Sequence, residues 1–115
     1  MSVKILHNPR CSKSRQTLAL LEENGVTPTI IEYLKTPPSK TELQDILQQL
    51  DMQPRDLMRK NEAEYKENGL DDTSLSADQL IEAMIAHPKL IERPIVLNEG
   101  KVRIGRPPES VLEII

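Results

Sequence analysis

The feature that most constrains this chain is its opening: a short apolar run, Val3 to Leu6, stopped at once by His7-Asn8-Pro9 and followed by the only cysteine, Cys11. An apolar run of this length, ended by residues that break regular hydrogen bonding, reads as a buried strand entering a loop. From Ser12 onward Leu18, Leu20 and Leu21 fit a helix, and Asn24-Gly25 supplies residue types that tolerate the left-handed backbone of a helix stop. Strand, cysteine loop and helix therefore follow in order, with Cys11 delivered to the far end of the loop.

The remainder alternates in the same manner. Thr27 to Tyr33 is rich in β-branched residues and reads as a second strand, ended by Leu34 to Pro38 where adjacent prolines forbid a ladder. Ser39 and Glu42 have capping-box spacing ahead of Leu43, Ile46, Leu47 and Leu50. Ser76 and Gln79 repeat that signal ahead of Leu80, Ile81, Met84 and Ile85, with a stop at His87-Pro88. Shorter helical pieces are expected over Pro54 to Gly69. Pro94 to Leu97 and Lys101 to Ile104 read as strands around a turn at Asn98-Glu99-Gly100, and Pro107 opens a last helix through Ile115. The order β-α-β, helical insertion, β-β-α defines a mixed α/β fold with helices packed over a small sheet. At 115 residues the expectation is one domain, 1–115, with the helical insertion at about 39–90.

Composition removes several classes of function. The formal net charge is only -3 with both signs interspersed, which argues against the basic face that nucleic acid requires. No apolar segment approaches the roughly 20 residues of a membrane span, and no leader pattern is present, so a cytoplasmic protein without membrane attachment is expected. One cysteine excludes an internal disulfide, and with only His7 and His87 beside it no local zinc cluster assembles, so no metal is expected. The aromatic residues are Tyr33 and Tyr65 alone, which leaves aliphatic side chains to build the core. Monomer is the default oligomeric state.

Cys11 carries the chemistry. A thiolate attacks where a thiol hardly does, and the start of a helix, with its unpaired N–H groups and dipole, favours negative charge. Arg10, Lys13 and Arg15 lie close by, and His7 and Ser14 are candidate partners for the same sulfur. Counting excludes two motifs. A cysteine phosphatase loop needs arginine six positions after the nucleophile, where this chain has Thr17; a dithiol switch needs a second cysteine three positions on, where it has Ser14. An external thiol must therefore complete any redox cycle.

The run His7-Asn8-Pro9-Arg10-Cys11-Ser12-Lys13-Ser14-Arg15 resembles the catalytic loop of the glutaredoxin-coupled arsenate reductases. Leu57-Met58-Arg59-Lys60-Asn61, Arg93-Pro94-Ile95-Val96 and Arg106-Pro107 resemble that family's three arginine-bearing segments, so the similarity runs over essentially the whole chain. It implies a thioredoxin-like fold, a mixed sheet with flanking helices and an inserted helical region, and a cis peptide before Pro94. It also implies Cys11 as nucleophile, and Arg59, Arg93 and Arg106 as the groups that bind arsenate; arginine's planar fork suits a tetrahedral oxyanion. Glutathione would act as co-substrate and glutaredoxin as reductant, with no bound cofactor. His7 would help to keep Cys11 ionised and Ser14 would hydrogen-bond the thiolate.

Two rivals stand beside this reading. One is a glutathione-dependent thiol reductase of the same fold with another substrate, which would need no cluster of three arginines. The other is a redox-linked regulator that binds RNA polymerase, a class that carries the two-cysteine switch this chain lacks. Arg10, Ser12 and Lys13 replace small residues found beside the cysteine in some dedicated resistance enzymes, which leaves substrate preference open.

Overall fold

The computed structural model describes residues 3–115. Two compact units are present: Met1–Thr36 together with Arg93–Ile115, and the continuous segment Pro37–Glu92.

The first unit holds β1 (Val3–Leu6), α1 (Ser12–Glu23), β2 (Thr29–Ile31), β3 (Ile95–Asn98), β4 (Lys101–Ile104) and a closing 3-10 segment, Pro108–Ile114. The four strands form one sheet in the order β2-β1-β3-β4. β1 runs parallel to β2 and antiparallel to β3, with Ile5 opposite Ile30 on one side and Val96 on the other. Val3, Ile5, Leu21, Val96, Val111 and Ile114 form the core of this unit, with Leu18 and Val26 packed against it. Burying aliphatic side chains of this size contributes about 1.5–3 kcal/mol each, and the core is not aliphatic alone, since Tyr33 is fully buried and Tyr65 is buried as well.

β2 is shorter than its β-branched run suggests. Pro28 has no N–H to give to a ladder, and beyond Ile31 the backbone turns, with Lys35 and Thr36 donating to the Glu32 carbonyl. Between β3 and β4 the turn is two residues long. Glu99 and Gly100 both have positive φ, 50° and 84°, as a type I′ connection demands, and Asn98 belongs to the strand, opposite Lys101. The side-chain amide of Asn98 donates to the carbonyl of Ile114, tying the sheet to the chain's last turn. That last segment is a 3-10 helix over Pro108–Ile114 with Pro107 as its N-cap, where the expectation was an α-helix; Ser110 closes the first turn on the Pro107 carbonyl at 3.0 Å.

The second unit is helical: α2 (Lys40–Leu50), α3 (Ala63–Glu67) and α4 (Ala77–Ala86), with 3-10 turns at Pro54–Leu57 and Pro88–Leu90. Leu43, Ile46 and Leu47 of α2 are buried, as are Leu80, Ile81 and Met84 of α4. Both longer helices begin with a complete capping box, Ser39 with Glu42 and Ser76 with Gln79. Arg55 clamps the intervening segment: its guanidinium donates to the Tyr65 hydroxyl at 2.6 Å and to the Asp72 carbonyl at 2.8 Å. No sequence pattern separates this structural arginine from the others in the region.

No helix among the described residues is long and apolar enough to cross a membrane. Each capping serine satisfies an N–H that has no helical partner, so Ser39→Ala or Ser76→Ala is expected to lower unfolding free energy by about 1 kcal/mol. Urea denaturation checks this, and Ser→Asp at the same positions should restore the loss because aspartate accepts the same bond.

Candidate active site

Cys11 is the residue at which the loop after β1 becomes α1. Its backbone is extended (φ -95°, ψ 124°), its carbonyl accepts the first helical bond from Arg15, and no side chain caps the helix. Asn8 builds the approach by accepting from Cys11 N–H through its carbonyl and from Arg10 N–H through its side chain, each at 3.0 Å. Arg15 closes the loop from the other side, its guanidinium donating to the Pro9 carbonyl at 2.8 Å.

The Cys11 thiol is held below its ordinary pKa. Burial is the largest single influence and opposes ionisation, but it is outweighed by the N–H groups of Ser14 and Lys13 in the first turn of α1 and by the charges of Arg93 and Arg106. Arg106 is the direct neighbour: its Nη2 donates to Cys11 Sγ at 3.7 Å. A half-buried thiol, backbone amides aimed at it and two guanidinium groups form a cluster of positive charge suited to a thiolate and to an incoming oxyanion.

The two arginines are coupled. Nε of Arg106 donates to the Arg93 carbonyl at 2.8 Å, and Gly105 N–H donates to the Pro94 carbonyl at 2.9 Å. Each arginine precedes a proline in a cis peptide; the resemblance implied the one at Pro94 and not the one at Pro107. Gly105 is the point of close approach. A β-carbon there would lie 2.5 Å from Thr17 Oγ1 and 2.7 Å from Pro94 Cγ, so any larger residue pushes the Arg106 segment away from α1. Thr17, the position that excluded a phosphatase loop, is fully buried and donates to the Lys13 carbonyl at 2.8 Å.

His7 and Ser14 are both buried and share a 2.7 Å hydrogen bond between Nδ1 and Oγ. Ser14 Oγ also accepts from Asn8 N–H at 3.0 Å. The serine hydroxyl thus holds the loop, while its backbone N–H is what bears on the thiolate. Burial lowers the His7 pKa, opposed by Glu32 and assisted by Arg15, which leaves the ring neutral at physiological pH. His7 is therefore a hydrogen-bonding support, not a cationic partner of the sulfur.

Arg59 lies in the helical unit. Its guanidinium pairs with Glu62 at 2.8 Å and donates to the Lys89 carbonyl at 3.3 Å, and its N–H donates to the Leu90 carbonyl at 2.7 Å. Among the described residues no group of three His, Cys, Asp or Glu side chains is placed to hold a metal ion.

A single activated thiol at the head of α1, beside arginines that flank β3 and β4, defines a thioredoxin-like thiol oxidoreductase. Residues 6–114 match the ArsC family, and the chain belongs to it. The chain is 60% identical to the uncharacterized protein YfgD of Escherichia coli K12, over 98% of this chain and 96% of that one. It is 52% identical to an arsenate reductase of Haemophilus influenzae, over the whole of both. An arsenate reductase structure from Vibrio cholerae superposes with a TM-score of 0.96 at 58% identity, covering 100% of this chain and 98% of that one.

The lowered thiol pKa has a direct readout. Alkylation of Cys11 by iodoacetamide follows the thiolate fraction, so its pH midpoint is expected below that of free cysteine. Removing a stabilising positive charge with Arg106→Ala, or displacing it with Gly105→Val, should move that midpoint upward; an unmoved midpoint in both would detach Arg106 from the sulfur.

Proposed function

We propose that the chain is an arsenate reductase in which Cys11 is the nucleophile and glutathione and glutaredoxin supply the electrons. The observation that carries the reading is the 3.7 Å approach of Arg106 to a Cys11 thiol already biased toward ionisation, in a chain of this family. The names borne by the Haemophilus influenzae and Vibrio cholerae relatives support arsenate as the substrate.

The Cys11 thiolate attacks arsenic(V), an As–O bond breaks, and the oxygen leaves as water once protonated. Arg93 and Arg106 neutralise the remaining oxygens, each guanidinium offering two parallel donors. Assignment of Arg59 to the same anion rests on the resemblance of its segment Leu57–Asn61. Glutathione then displaces a second oxygen, forming an As–S bond and releasing water. A glutaredoxin thiolate attacks the glutathione sulfur, an S–S bond forms, and the As–S electron pair passes to arsenic, reducing it to arsenic(III). Hydrolysis of the Cys11–arsenic(III) bond releases arsenite and restores the thiol. The two electrons come from sulfur, so the cycle needs no resident cofactor. His7 and Ser14 serve by holding the loop that presents the thiol.

The test is arsenate-dependent NADPH oxidation with glutathione, glutathione reductase and glutaredoxin. Cys11→Ser is expected to remove turnover while keeping the fold, since serine is close in size and not ionised at neutral pH. Arg93→Lys keeps the charge but loses the fork, and kcat/KM for arsenate should fall by about tenfold, roughly 1.4 kcal/mol of transition-state stabilisation. Turnover of Cys11→Ser near the parent rate would overturn the assignment. Turnover that follows thioredoxin and its reductase, and ignores glutathione, would reassign the electron donor.

A further inference from the structure

Two cavities in the sheet-bearing unit are bounded by residues adjoining Cys11 in sequence. The larger, about 480 Å³, lies along α1 and is bordered by Lys13, Glu23 and Glu109, so its charged lining is negative on balance. The second, about 300 Å³, is walled by the loop His7 to Arg10 on one side and by Glu32, Leu34 and Lys35 beyond β2 on the other. Two cations face one carboxylate there, and because the His7 ring is neutral at physiological pH, the lining carries a net positive charge. Its volume falls at the small end of the range occupied by small-molecule sites, about 300–1,000 Å³.

We infer that this second cavity is the binding site for glutathione, resting on the proposal above that glutathione is the co-substrate. At neutral pH a tripeptide thiol of that kind carries two carboxylates and one ammonium group. Arg10 and Lys35 match the carboxylates in number and sign, and Glu32 matches the ammonium. Pro9 and Leu34 add apolar surface for the peptide's aliphatic parts. Lys35 and Glu32 are held ready at 3.6 Å from one another, and both are largely exposed. An exposed pair of this kind is weakly held, so a zwitterionic ligand can replace each partner with its own charge. Arg10 immediately precedes Cys11, so a ligand anchored on Arg10 is tethered to the loop that carries the nucleophile. The cavity along α1 has the opposite charge balance and disfavours a ligand of net negative charge.

The experiment has a binding arm and a kinetic arm, both on the intact protein. S-methylglutathione, which has the charges of glutathione but no reactive thiol, is titrated while backbone amide shifts are followed by NMR. Perturbations are expected at Asn8, Arg10 and Glu32 to Lys35, and they should be lost in Lys35→Glu. In steady-state reduction with glutaredoxin saturating, Lys35→Glu should raise KM for glutathione about tenfold, with KM for arsenate unchanged; Arg10→Gln should weaken S-methylglutathione binding in the same direction. Glutathione-dependent turnover with unchanged KM in Lys35→Glu, or perturbations confined to another surface, overturns the site alone. Turnover indifferent to glutathione, with no perturbation by S-methylglutathione, overturns the site together with the glutathione reading on which it rests.

Discussion

The site depends on stabilising one negative charge. Cys11 stands where a helix presents unpaired N–H groups, and no other side chain takes the capping position, so the first-turn amides of Lys13 and Ser14 remain directed at the sulfur. Partial burial of the thiol opposes ionisation, and the amides together with Arg93 and Arg106 more than offset it. The same donors suit an oxyanion, so in the proposed reaction one set of groups serves both the nucleophile and its substrate.

Holding those arginines in place is a problem of packing. Arg93 lies two residues before β3 and Arg106 two residues after β4, and the two-residue turn between the strands makes those ends neighbours. Two bonds then lock them, Arg106 to the Arg93 carbonyl and Gly105 to the Pro94 carbonyl. Gly105 lets this pair approach Thr17 on α1 more closely than any side chain would permit. The strand ends, the helix and the thiol thus share one geometry, although Cys11 and Arg106 are 95 residues apart.

Legibility varied with the range of the interaction. The capping boxes at Ser39 and Ser76 were readable because both partners lie within four residues and the bond is local. The second strand is shorter than its β-branched run because proline's missing N–H limits pairing in a way that β-propensity does not express. For the site, the loop around Cys11 pointed to a thiolate on local grounds, and Arg10, Lys13 and Arg15 looked like its charge partners. The charges that lower the thiol's pKa are instead those of Arg93 and Arg106, while Arg15 is engaged with the Pro9 carbonyl.

By itself the sequence determined a strand, a breaker and a helix with one thiol at the junction, because these follow from backbone chemistry over a few residues. It also determined that Cys11 has no second cysteine three positions on to resolve it, since Ser14 stands there. Only the tertiary structure decided that His7 is neutral and hydrogen-bonded to Ser14, that Arg106 is the guanidinium against the sulfur, and that Gly105 had to be small. Those outcomes depend on burial and on distances between residues far apart in the chain, which no local pattern encodes.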